Sequence, residues 1–442
     1  MTQTLFSIDP LTDEQVGSVA VSNRDSISKK VAKAREAQID WASQSLQQRV
    51  QALQHAYEKL QPLQSNLAQL ISREMGKDTR RANYEAGGAI QGGIWLAEDA
   101  GKALRGQCNG GSEIQYRPLG VVAVISPWNY PLAMANNLLV PALVAGNSVI
   151  LKPSEESPLV ADLLVKTLNE TLPEGILQIA HGDRHTGEAL VQSDINMIAF
   201  TGSRTTGQQI MSNAAPALKR LVMELGGNDP MIVLASADIQ KAAQFAVASS
   251  FENAGQMCTS TERIYVDASI ADQFEKAVTS IARQYHTGGW QDLQADIGPL
   301  VNQRQHQKVV DHIQDALKKG ATLLLGEKAP KPPFIPPTVI SGIQPGMQLE
   351  DEETFGPVVA IDRFNNVEDA IQRANDSVYG LGAVVFGGAD AVQVSNRLQA
   401  GMIGINQGAG GTPWVGAKQS GFGYHGGIDG HRQFAQVTVI NL

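Results

Sequence analysis

The spacing of apolar residues changes character near residue 121 of the chain. Between residues 24 and 110, apolar side chains recur at intervals of three and four positions, as in LQQRVQALQHAYEKLQPLQSNLAQLISREMG. This spacing places them on one face of a helix, so the region is predicted to be mostly helical. From residue 121 onward the apolar residues occur in short runs rich in β-branched side chains, which are typical of strands buried on both faces.

Strand-like and helical segments alternate repeatedly after residue 121. The strand-like runs, in order, are VVAVIS, SVILK, ILQIA, MIAFTG and LVMELG. Alternation of this kind predicts βαβ units, and hence an α/β fold with a doubly wound parallel sheet. A second series begins near residue 229 and predicts a second α/β domain with its own sheet.

Two further segments are expected at the surface. The C-terminal FAQVTVINL alternates like an exposed strand and is expected to form a small β-ribbon with SEIQYRPLG. Such a ribbon is marginal alone, so pairing with another subunit in a homodimer or homotetramer is expected. The proline-rich KAPKPPFIPPTV at residues 328–339 is predicted to be a surface loop or an edge segment.

Composition narrows the possible partners. A chain of 442 residues exceeds what one hydrophobic core usually serves, so two or three domains are expected. The net charge of −9 argues against nucleic acid or an anionic membrane as a partner. Two distant cysteines indicate neither a disulfide framework nor structural zinc, and they fit a reducing cytoplasm. No secretory signal is expected, and the most apolar stretch, at 132–151, is interrupted by polar residues and a proline, so no membrane span is expected.

Polar residues and glycines follow four of the predicted strands at the point where each strand ends. These residues are Asn129, Lys152, Glu155, Gly202, Ser203, Gly207 and Glu224. Because the carboxyl ends of parallel strands meet along one edge of a sheet, we expect these residues to line one crevice. Each alone is most simply a turn or cap residue, and TGSRTTG is a weak motif because it is not GxGxxG. Their combination is more informative than any member.

Seven segments together resemble the aldehyde dehydrogenase superfamily, in that family's order and at its spacings. They are PWNYP, LVPALVAGNSVILKPSEESP, FTGSRTTG, MELGGNDPMIVL, NAGQMCTS, EETFGPVVAI and AKQSGFG. The resemblance implies an NAD(P)-binding domain, a catalytic domain and a small oligomerisation ribbon. The expected boundaries are 1–108 with 122–226 for the NAD(P)-binding domain, 227–412 for the catalytic domain, and 109–121 with 427–442 for the ribbon.

By this resemblance, three residues carry the oxidation of a small or medium aldehyde. Cys258 is the nucleophile, because a thiolate adds to the carbonyl carbon and leaves a hemithioacetal that can expel hydride. Asn129 matches the family's amide donor, which stabilises the oxyanion together with the Cys258 N–H. Glu224 matches the general base that activates water, and a largely apolar tunnel should raise its pKa toward neutrality.

The resemblance also implies a binding site for NAD or NADP. Its expected residues are Trp128, Lys152, Glu155, Gly202, Ser203, Gly207, Glu353 and Phe355. Lys152 and Glu155 resemble the pair that reaches the adenosine ribose, and the helix start in TGSRTTG resembles the pyrophosphate site. Glu353 and Phe355 match the residues that hold the nicotinamide ribose and ring. A carboxylate at Glu155 favours NAD because it repels a 2′-phosphate, while Lys152 leaves NADP possible.

Two places depart from the family's pattern. A Pro-Phe-Gly-Gly-like run is replaced by a segment with Trp414 and Val415, and an Arg-Glu pair is replaced by Tyr424 and His425. Neither change touches the catalytic set. Both are expected to reshape the tunnel mouth or a subunit contact.

The motifs make succinate semialdehyde a candidate substrate, with one difficulty. Members of the succinate-semialdehyde branch often carry an arginine on the helix after PWNYP, where this chain has Asn136 and Asn137. A neutral amide does not replace the charge pairing of an arginine with a carboxylate. Arg263 is a possible substitute, although an exposed charge on a strand is the simpler interpretation of that residue.

Two alternatives to a hydrolytic aldehyde dehydrogenase stay open. One is a coenzyme A-acylating semialdehyde dehydrogenase, which Glu224 disfavours because those branches lack a glutamate there. The other is a catalytically silent nucleotide-binding homologue, which the complete set of catalytic residues disfavours. His181 and His185 have a metal-like spacing but no third ligand nearby, so no metal is expected. Cys108 matches no motif and is expected to be a buried, inert thiol.

Overall fold

The computed structural model describes residues 3–441, within which strands and helices alternate along most of the chain. The strands are β1 (Thr4–Ile8), β2 (Gln15–Ala20), β3 (Gln107–Asn109), β4 (Ser112–Pro118), β5 (Val121–Ile125), β6 (Ser148–Lys152), β7 (Leu177–Ile179), β8 (Met197–Thr201), β9 (Arg220–Glu224), β10 (Asp229–Val233), β11 (Thr261–Asp267), β12 (Thr322–Leu325), β13 (Thr338–Ser341), β14 (Val358–Phe364), β15 (Gly382–Phe386), β16 (Met402–Ile405), β17 (Trp414–Val415), β18 (Gly421–Phe422), β19 (Tyr424–His425) and β20 (Ala435–Asn441). The α-helices are α1 (Arg24–Ser43), α2 (Leu46–Glu58), α3 (Gln64–Met75), α4 (Thr79–Ala103), α5 (Pro131–Val144), α6 (Pro158–Leu168), α7 (Arg184–Gln192), α8 (Arg204–Ala214), α9 (Ile239–Phe251), α10 (Ala271–Ala282), α11 (Gln303–Lys318), α12 (Gln348–Asp351), α13 (Val367–Asn375), α14 (Asp390–Ser395) and α15 (Gly427–Arg432). Short 3-10 turns lie at Gln61–Leu63, Ala215–Ala217, Glu252–Gly255 and Lys418–Ser420.

The predicted doubly wound sheet is present, with strand order β18-β9-β8-β5-β6-β7. The five strands predicted from the sequence run parallel, and β18 is added antiparallel to β9 at one edge. Every residue of β5 and β6 is buried, as expected for central strands covered by helices on both faces. The predicted α/β fold class is therefore confirmed.

A second sheet of seven strands has the order β12-β13-β14-β11-β10-β15-β16. All its strands are parallel except β12, which pairs antiparallel with β13 at the edge. The second series of strands predicted from residue 229 onward forms this sheet. The domain boundaries expected from the resemblance stay a prediction.

The predicted ribbon also forms, because β20 pairs antiparallel with β4 along its whole length. The short strand β3 adds to the other side of β4 and carries Cys108, which is exposed rather than buried as expected. The hairpin of β1 and β2 was not predicted. It is joined to the helical region through the Ser7 hydroxyl, which donates to Glu74 at 2.8 Å.

The helical region before residue 121 has ends that its sequence explains. Asn23 caps α1, and Ser45 with Gln48 forms a capping box at the start of α2. Gly76 ends α3 in the left-handed conformation and leads directly to Lys77 and α4. Within residues 3–441, no helix is long and apolar enough to cross a membrane.

Candidate active site

One cavity of about 1420 Å³ lies along the carboxyl edge of the first sheet and reaches the turn before β11. The ends of three neighbouring strands contribute Ser126, Lys152 and Thr201 to its wall. Nine of the eleven predicted catalytic and cofactor-binding residues line it: Trp128, Asn129, Lys152, Glu155, Gly202, Ser203, Cys258, Glu353 and Phe355. The structure thus brings together residues from both sheets in one cavity large enough for a dinucleotide and a second small molecule.

Glu224 and Gly207 do not line the cavity wall. Glu224 is the last residue of β9 and directly precedes Leu225, which does line it. Gly207 lies in α8, where a Cβ would approach the Leu225 side chain to 2.7 Å. A glycine at position 207 therefore allows α8 to pack closely against the residue that follows β9.

Cys258 follows a stretch of unusual backbone between α9 and β11. Asn253, Ala254 and Gly255 have φ values of 51°, 57° and 73°, which is the left-handed region. Such a run is costly for residues other than glycine and persists only where its surroundings hold it in place. The Asn253 amide does so by donating to the carbonyl oxygens of Asn129 and Gln256, both at 3.1 Å.

Gly255→Ala tests whether this strained turn requires a glycine at residue 255. A Cβ at residue 255 would lie 2.1 Å from the carbonyl carbon of Gly356, and the positive φ adds strain. We expect the free energy of unfolding to fall by roughly 2 kcal/mol or more, measured by denaturant titration. Gly111→Ala is the control, because a Cβ there meets nothing within 4 Å. Equal stability of the two variants would contradict this role for Gly255.

Asn129 is placed to donate a hydrogen bond next to Cys258. Its side chain is buried, and its Nδ2 donates to the Gln256 carbonyl oxygen at 3.1 Å, which leaves a second N–H. Within residues 3–441, the Cys258 N–H donates to no backbone carbonyl. N–H groups of this kind are the donors that an oxyanion hole uses.

A buried ion pair that the sequence analysis missed lies beneath Asn129. The Lys77 ammonium is fully buried, pairs with Glu85, and donates to the Asn129 carbonyl oxygen at 2.8 Å. It also lies 3.7 Å from the centre of the Tyr130 ring. Glu85 in turn accepts from the Leu132 N–H at 3.1 Å, at the start of α5. The pair therefore joins α4 to the turn that carries Asn129.

Glu224 has the surroundings of a buried base. Its side chain is 2% exposed, and neither carboxylate oxygen has a hydrogen-bond partner within residues 3–441. Burial raises the pKa of Glu224 well above the usual range of a carboxylic acid. An orphaned buried carboxylate destabilises the fold, so its presence favours a functional role.

The chain after Glu224 passes between Cys258 and Glu353 with no space for side chains. A Cβ on Gly226 would lie 2.4 Å from a Glu353 carboxylate oxygen, and one on Gly227 would lie 2.4 Å from the Cys258 carbonyl oxygen. The Gly227 N–H donates to Glu353 at 3.0 Å. The two glycines thus let the chain after Glu224 pass close to the Cys258 backbone and the Glu353 carboxylate.

The surroundings of the Cys258 thiol favour its protonated form. Burial raises its pKa above the usual range, and neighbouring carboxylates raise it further. These carboxylates belong to Asp229, Glu353 and Glu224. Reaction at this sulfur therefore requires a base to remove the proton, or a cation nearby to stabilise the thiolate.

The part of the cavity at the ends of β6 and β8 contains groups that favour an anionic ligand. Ser203 caps α8 by accepting from the Thr206 N–H, and Gly202, Ser203 and Thr206 line the cavity at this helix start. The Lys152 ammonium is almost fully buried, lies 3.7 Å from Glu155, and donates to the Pro153 carbonyl oxygen at 2.9 Å. Burial lowers the pKa of Lys152, so a negative ligand group would be favourable there.

Phe355 and Trp128 form an aromatic contact in the wall of the cavity. Their ring centroids are 5.6 Å apart at an interplanar angle of 86°. Phe355 has a φ of 58°, and its N–H donates to Glu262 at 2.8 Å. Glu262 also accepts from the Thr354 N–H at 2.6 Å, a role that the sequence analysis missed because it considered only the neighbouring Arg263.

Both interpretations of Arg263 were wrong. The side chain is 1% exposed and does not line the cavity. It donates to the carbonyl oxygens of Asn228, Arg373 and Ala374 at 3.0 to 3.2 Å. Arg263 is therefore a structural arginine of the second sheet.

Three further residues considered in the sequence analysis also line the cavity. Asn137 and Trp414 line the cavity, and Asn136 lines it while its amide is bound to Tyr57 and Ala89. Trp414 stacks on His425 with ring centroids 6.2 Å apart.

His181 and His185 pair with different carboxylates, and His185 lies in α7. Within residues 3–441, no three His, Cys, Asp or Glu side chains are placed to hold a metal ion.

The sequence matches the aldehyde dehydrogenase family over residues 1–440. It is 35% identical to the mitochondrial succinate-semialdehyde dehydrogenase of Arabidopsis thaliana, covering 100% of this chain and 86% of the relative. It is 32% identical to the NADP(+) succinate-semialdehyde dehydrogenase GabD of Escherichia coli, covering 98% of this chain and 93% of the relative.

Solved structures agree with the sequence relatives. An NAD-dependent aldehyde dehydrogenase from Sinorhizobium meliloti superposes with a TM-score of 0.96 at 30% identity, covering 100% of this chain and 91% of that chain. An aldehyde dehydrogenase C mutant from Pseudomonas syringae, solved with NAD+ and octanal, has a TM-score of 0.95 at 32% identity, covering 99% of this chain and 93% of that chain. The predicted family and enzyme class are confirmed, and the chain belongs to the aldehyde dehydrogenase family.

Proposed function

We propose that this protein oxidises an aldehyde to its carboxylic acid, with NAD(P)+ as the hydride acceptor. The observation that carries the proposal is a cavity lined by both Cys258 and Asn129, with the unpartnered carboxylate of Glu224 next to the cavity-lining Leu225. A nucleophile, an oxyanion donor and a buried base are the three groups that this reaction needs.

The cavity residues at the ends of β6 and β8 fit a dinucleotide. The buried Lys152 ammonium and the start of α8 favour its negative groups, and Glu155 is placed beside Lys152 for the ribose hydroxyls. Trp128 would lie near the adenosine and pyrophosphate, and Glu353 and Phe355 would hold the nicotinamide end. When bound, NAD(P)+ supplies the hydride acceptor. We favour NAD, because the Glu155 carboxylate lies where a 2′-phosphate would be repelled, while the 3.7 Å separation from Lys152 leaves NADP possible.

The protein's own residues act in two stages. In the first, the Cys258 thiol loses its proton to solvent as its sulfur bonds to the carbonyl carbon, while Asn129 Nδ2 and the Cys258 N–H donate to the oxyanion. Loss of hydride from that carbon leaves a thioester on Cys258. In the second stage, Glu224 takes a proton from water as its oxygen attacks the thioester, and the carbon–sulfur bond breaks to release the acid. The orphaned Glu224 supports water rather than coenzyme A as the acyl acceptor.

An aldehyde panel tests this proposal. Purified protein is mixed with NAD+ or NADP+ and each aldehyde, and the reduced cofactor is followed by absorbance with and without coenzyme A. We expect turnover without coenzyme A and one carboxylic acid per reduced cofactor. Succinate semialdehyde is included as a candidate because the two relatives described above are named for it. No turnover with any aldehyde, or turnover only with coenzyme A, would refute the proposal.

Lys77 is expected to act on turnover through Asn129. Lys77→Met, combined with Glu85→Gln so that no carboxylate is left unpaired, releases the carbonyl of Asn129. We expect kcat to fall by about 10²-fold with little change in the KM for the cofactor. In a protein that already carries Asn129→Ala, the same pair of changes should cost much less. Equal losses in both backgrounds would contradict a positioning role.

We also propose a cytoplasmic homo-oligomer, either a dimer or a tetramer. The unpaired Cys108 and Cys258 support a reducing location. The edge strand β20 exposes Val437 and Val439, which supports pairing of the ribbon with another subunit. Light scattering on the full-length protein measures the assembly directly.

A further inference from the structure

Two glycines of α4 have no packing explanation. The helix contains Gly87, Gly88, Gly92, Gly93 and Gly101. A Cβ on Gly87, Gly93 or Gly101 would come within 2.8 Å of a side chain from a neighbouring helix, so contact with α2 or α3 explains these three. A Cβ on Gly88 or Gly92 would meet nothing within 4 Å. Each glycine in a helix interior costs about 1 kcal/mol relative to alanine, so these two need another reason.

Gly88 and Gly92 both line the catalytic cavity. They are one helical turn apart on the same face of α4, with Ala89 and Leu96 beside them on the wall. Ala133, Met134 and Asn137 of α5 line the same cavity at helical spacing, together with Tyr130, which directly precedes the helix. The Tyr130 hydroxyl lies 3.8 Å from the Met257 sulfur, next to the nucleophile in sequence. The faces of α4 and α5 therefore form one wall of the cavity that also contains Cys258.

The charges on this wall are already satisfied. Arg81 donates to Glu252 and to Asp78, at 2.8 and 2.9 Å. Arg80 donates to Asp296 at 2.8 Å. Glu85 is paired with Lys77. Within residues 3–441, α4 and α5 thus present no cavity-lining cation without a partner, so a terminal carboxylate on the substrate would meet no unpaired cation on this wall.

We infer that the α4–α5 wall admits an aldehyde with a bulky, uncharged tail, such as an aromatic or branched one. Because Gly88 and Gly92 lack side chains, they set the width of the cavity at this wall. The inference rests on the proposed oxidation of aldehydes and adds the substrate class. Trp414 contributes an apolar ring to the same cavity, and Met134 an adaptable apolar side chain, both suited to such a tail. By this inference, succinate semialdehyde is a poor substrate compared with an uncharged aldehyde of greater bulk.

The inference is tested by adding side chains to the α4–α5 wall, which narrows the cavity. Gly88→Leu and Gly92→Leu are compared with wild type for kcat/KM on propanal, phenylacetaldehyde and succinate semialdehyde. We expect wild type to prefer phenylacetaldehyde to succinate semialdehyde by at least about 10-fold. Each variant should lose about 10-fold or more on phenylacetaldehyde while staying within about 2-fold of wild type on propanal. Gln91→Leu is the control, because it adds the same side chain to an exposed position of α4 that does not line the cavity.

The outcomes separate this inference from the proposed function. Turnover of propanal with equal losses on all three aldehydes, or a wild-type preference for succinate semialdehyde, overturns the inference and leaves the oxidation standing. A change of oligomeric state in the leucine variants, measured by light scattering, also overturns it, since the glycines would then serve a subunit contact. Failure of wild type to oxidise any of the three aldehydes refutes both.

Discussion

Cys258→Ala is expected to lower kcat by at least about 10³-fold without unfolding the protein. The thiol supplies the bond that makes the carbonyl carbon tetrahedral, and no other cysteine lines the cavity within residues 3–441. Removing one sulfur from a half-buried position should change the free energy of unfolding little. Cofactor binding should persist, because Lys152 and the start of α8 are unchanged.

The chain supplies a matched control for this substitution. Cys108→Ala removes the other free thiol, which is exposed on β3, and should leave kcat unchanged. Mass spectrometry during turnover should find the acyl group on the peptide that contains Cys258 and never on the one with Cys108. Turnover within 10-fold of wild type in Cys258→Ala would overturn the mechanism.

Glu224→Gln is expected to stop the reaction after the first chemical step. The amide has nearly the same shape as the carboxylate but cannot take a proton from water, so the thioester on Cys258 should accumulate. We expect a burst of about one reduced cofactor per active site, followed by steady turnover about 10²- to 10⁴-fold slower than wild type. The burst should vanish when Cys258→Ala is added. A slow steady phase with no burst would show that Glu224 is needed first for removal of the thiol proton.

The pH dependence of the second stage follows from the same residue. Only the ionised form of Glu224 accepts a proton, and burial raises its pKa well above the usual carboxylic range. Hydrolysis of the thioester should therefore be slow at acidic pH and rise as the pH passes that raised pKa. In Glu224→Gln, this rise should be absent. Stopped-flow measurement of the rate after the burst, across the pH range, checks the sign.

The sequence predicted those parts of the site that depend on local pattern. Short β-branched runs specify buried strands, and the residue that follows each run necessarily lies at the edge of the sheet. Asn129, Lys152 and Glu224 were placed on this basis before any family resemblance was used. Cys258 required the resemblance, because a lone cysteine between a helix and a strand carries no pattern of its own. The β1–β2 hairpin was missed because its strands are mostly exposed and lack a buried apolar face.

The sequence by itself determined the order of strands and helices, the edge at which the polar groups gather, and the family motifs that surround Cys258. The tertiary structure alone decided that Arg263 is buried, that Lys77 lies under the carbonyl of Asn129, and that the Glu224 carboxylate has no partner. It also decided which glycines of α4 contact neighbouring helices and which face the cavity. The physical reason is that periodicity encodes which face of an element is buried. The pKa, the partner and the free space of a given group depend on residues far away in the chain, and those become neighbours only after folding.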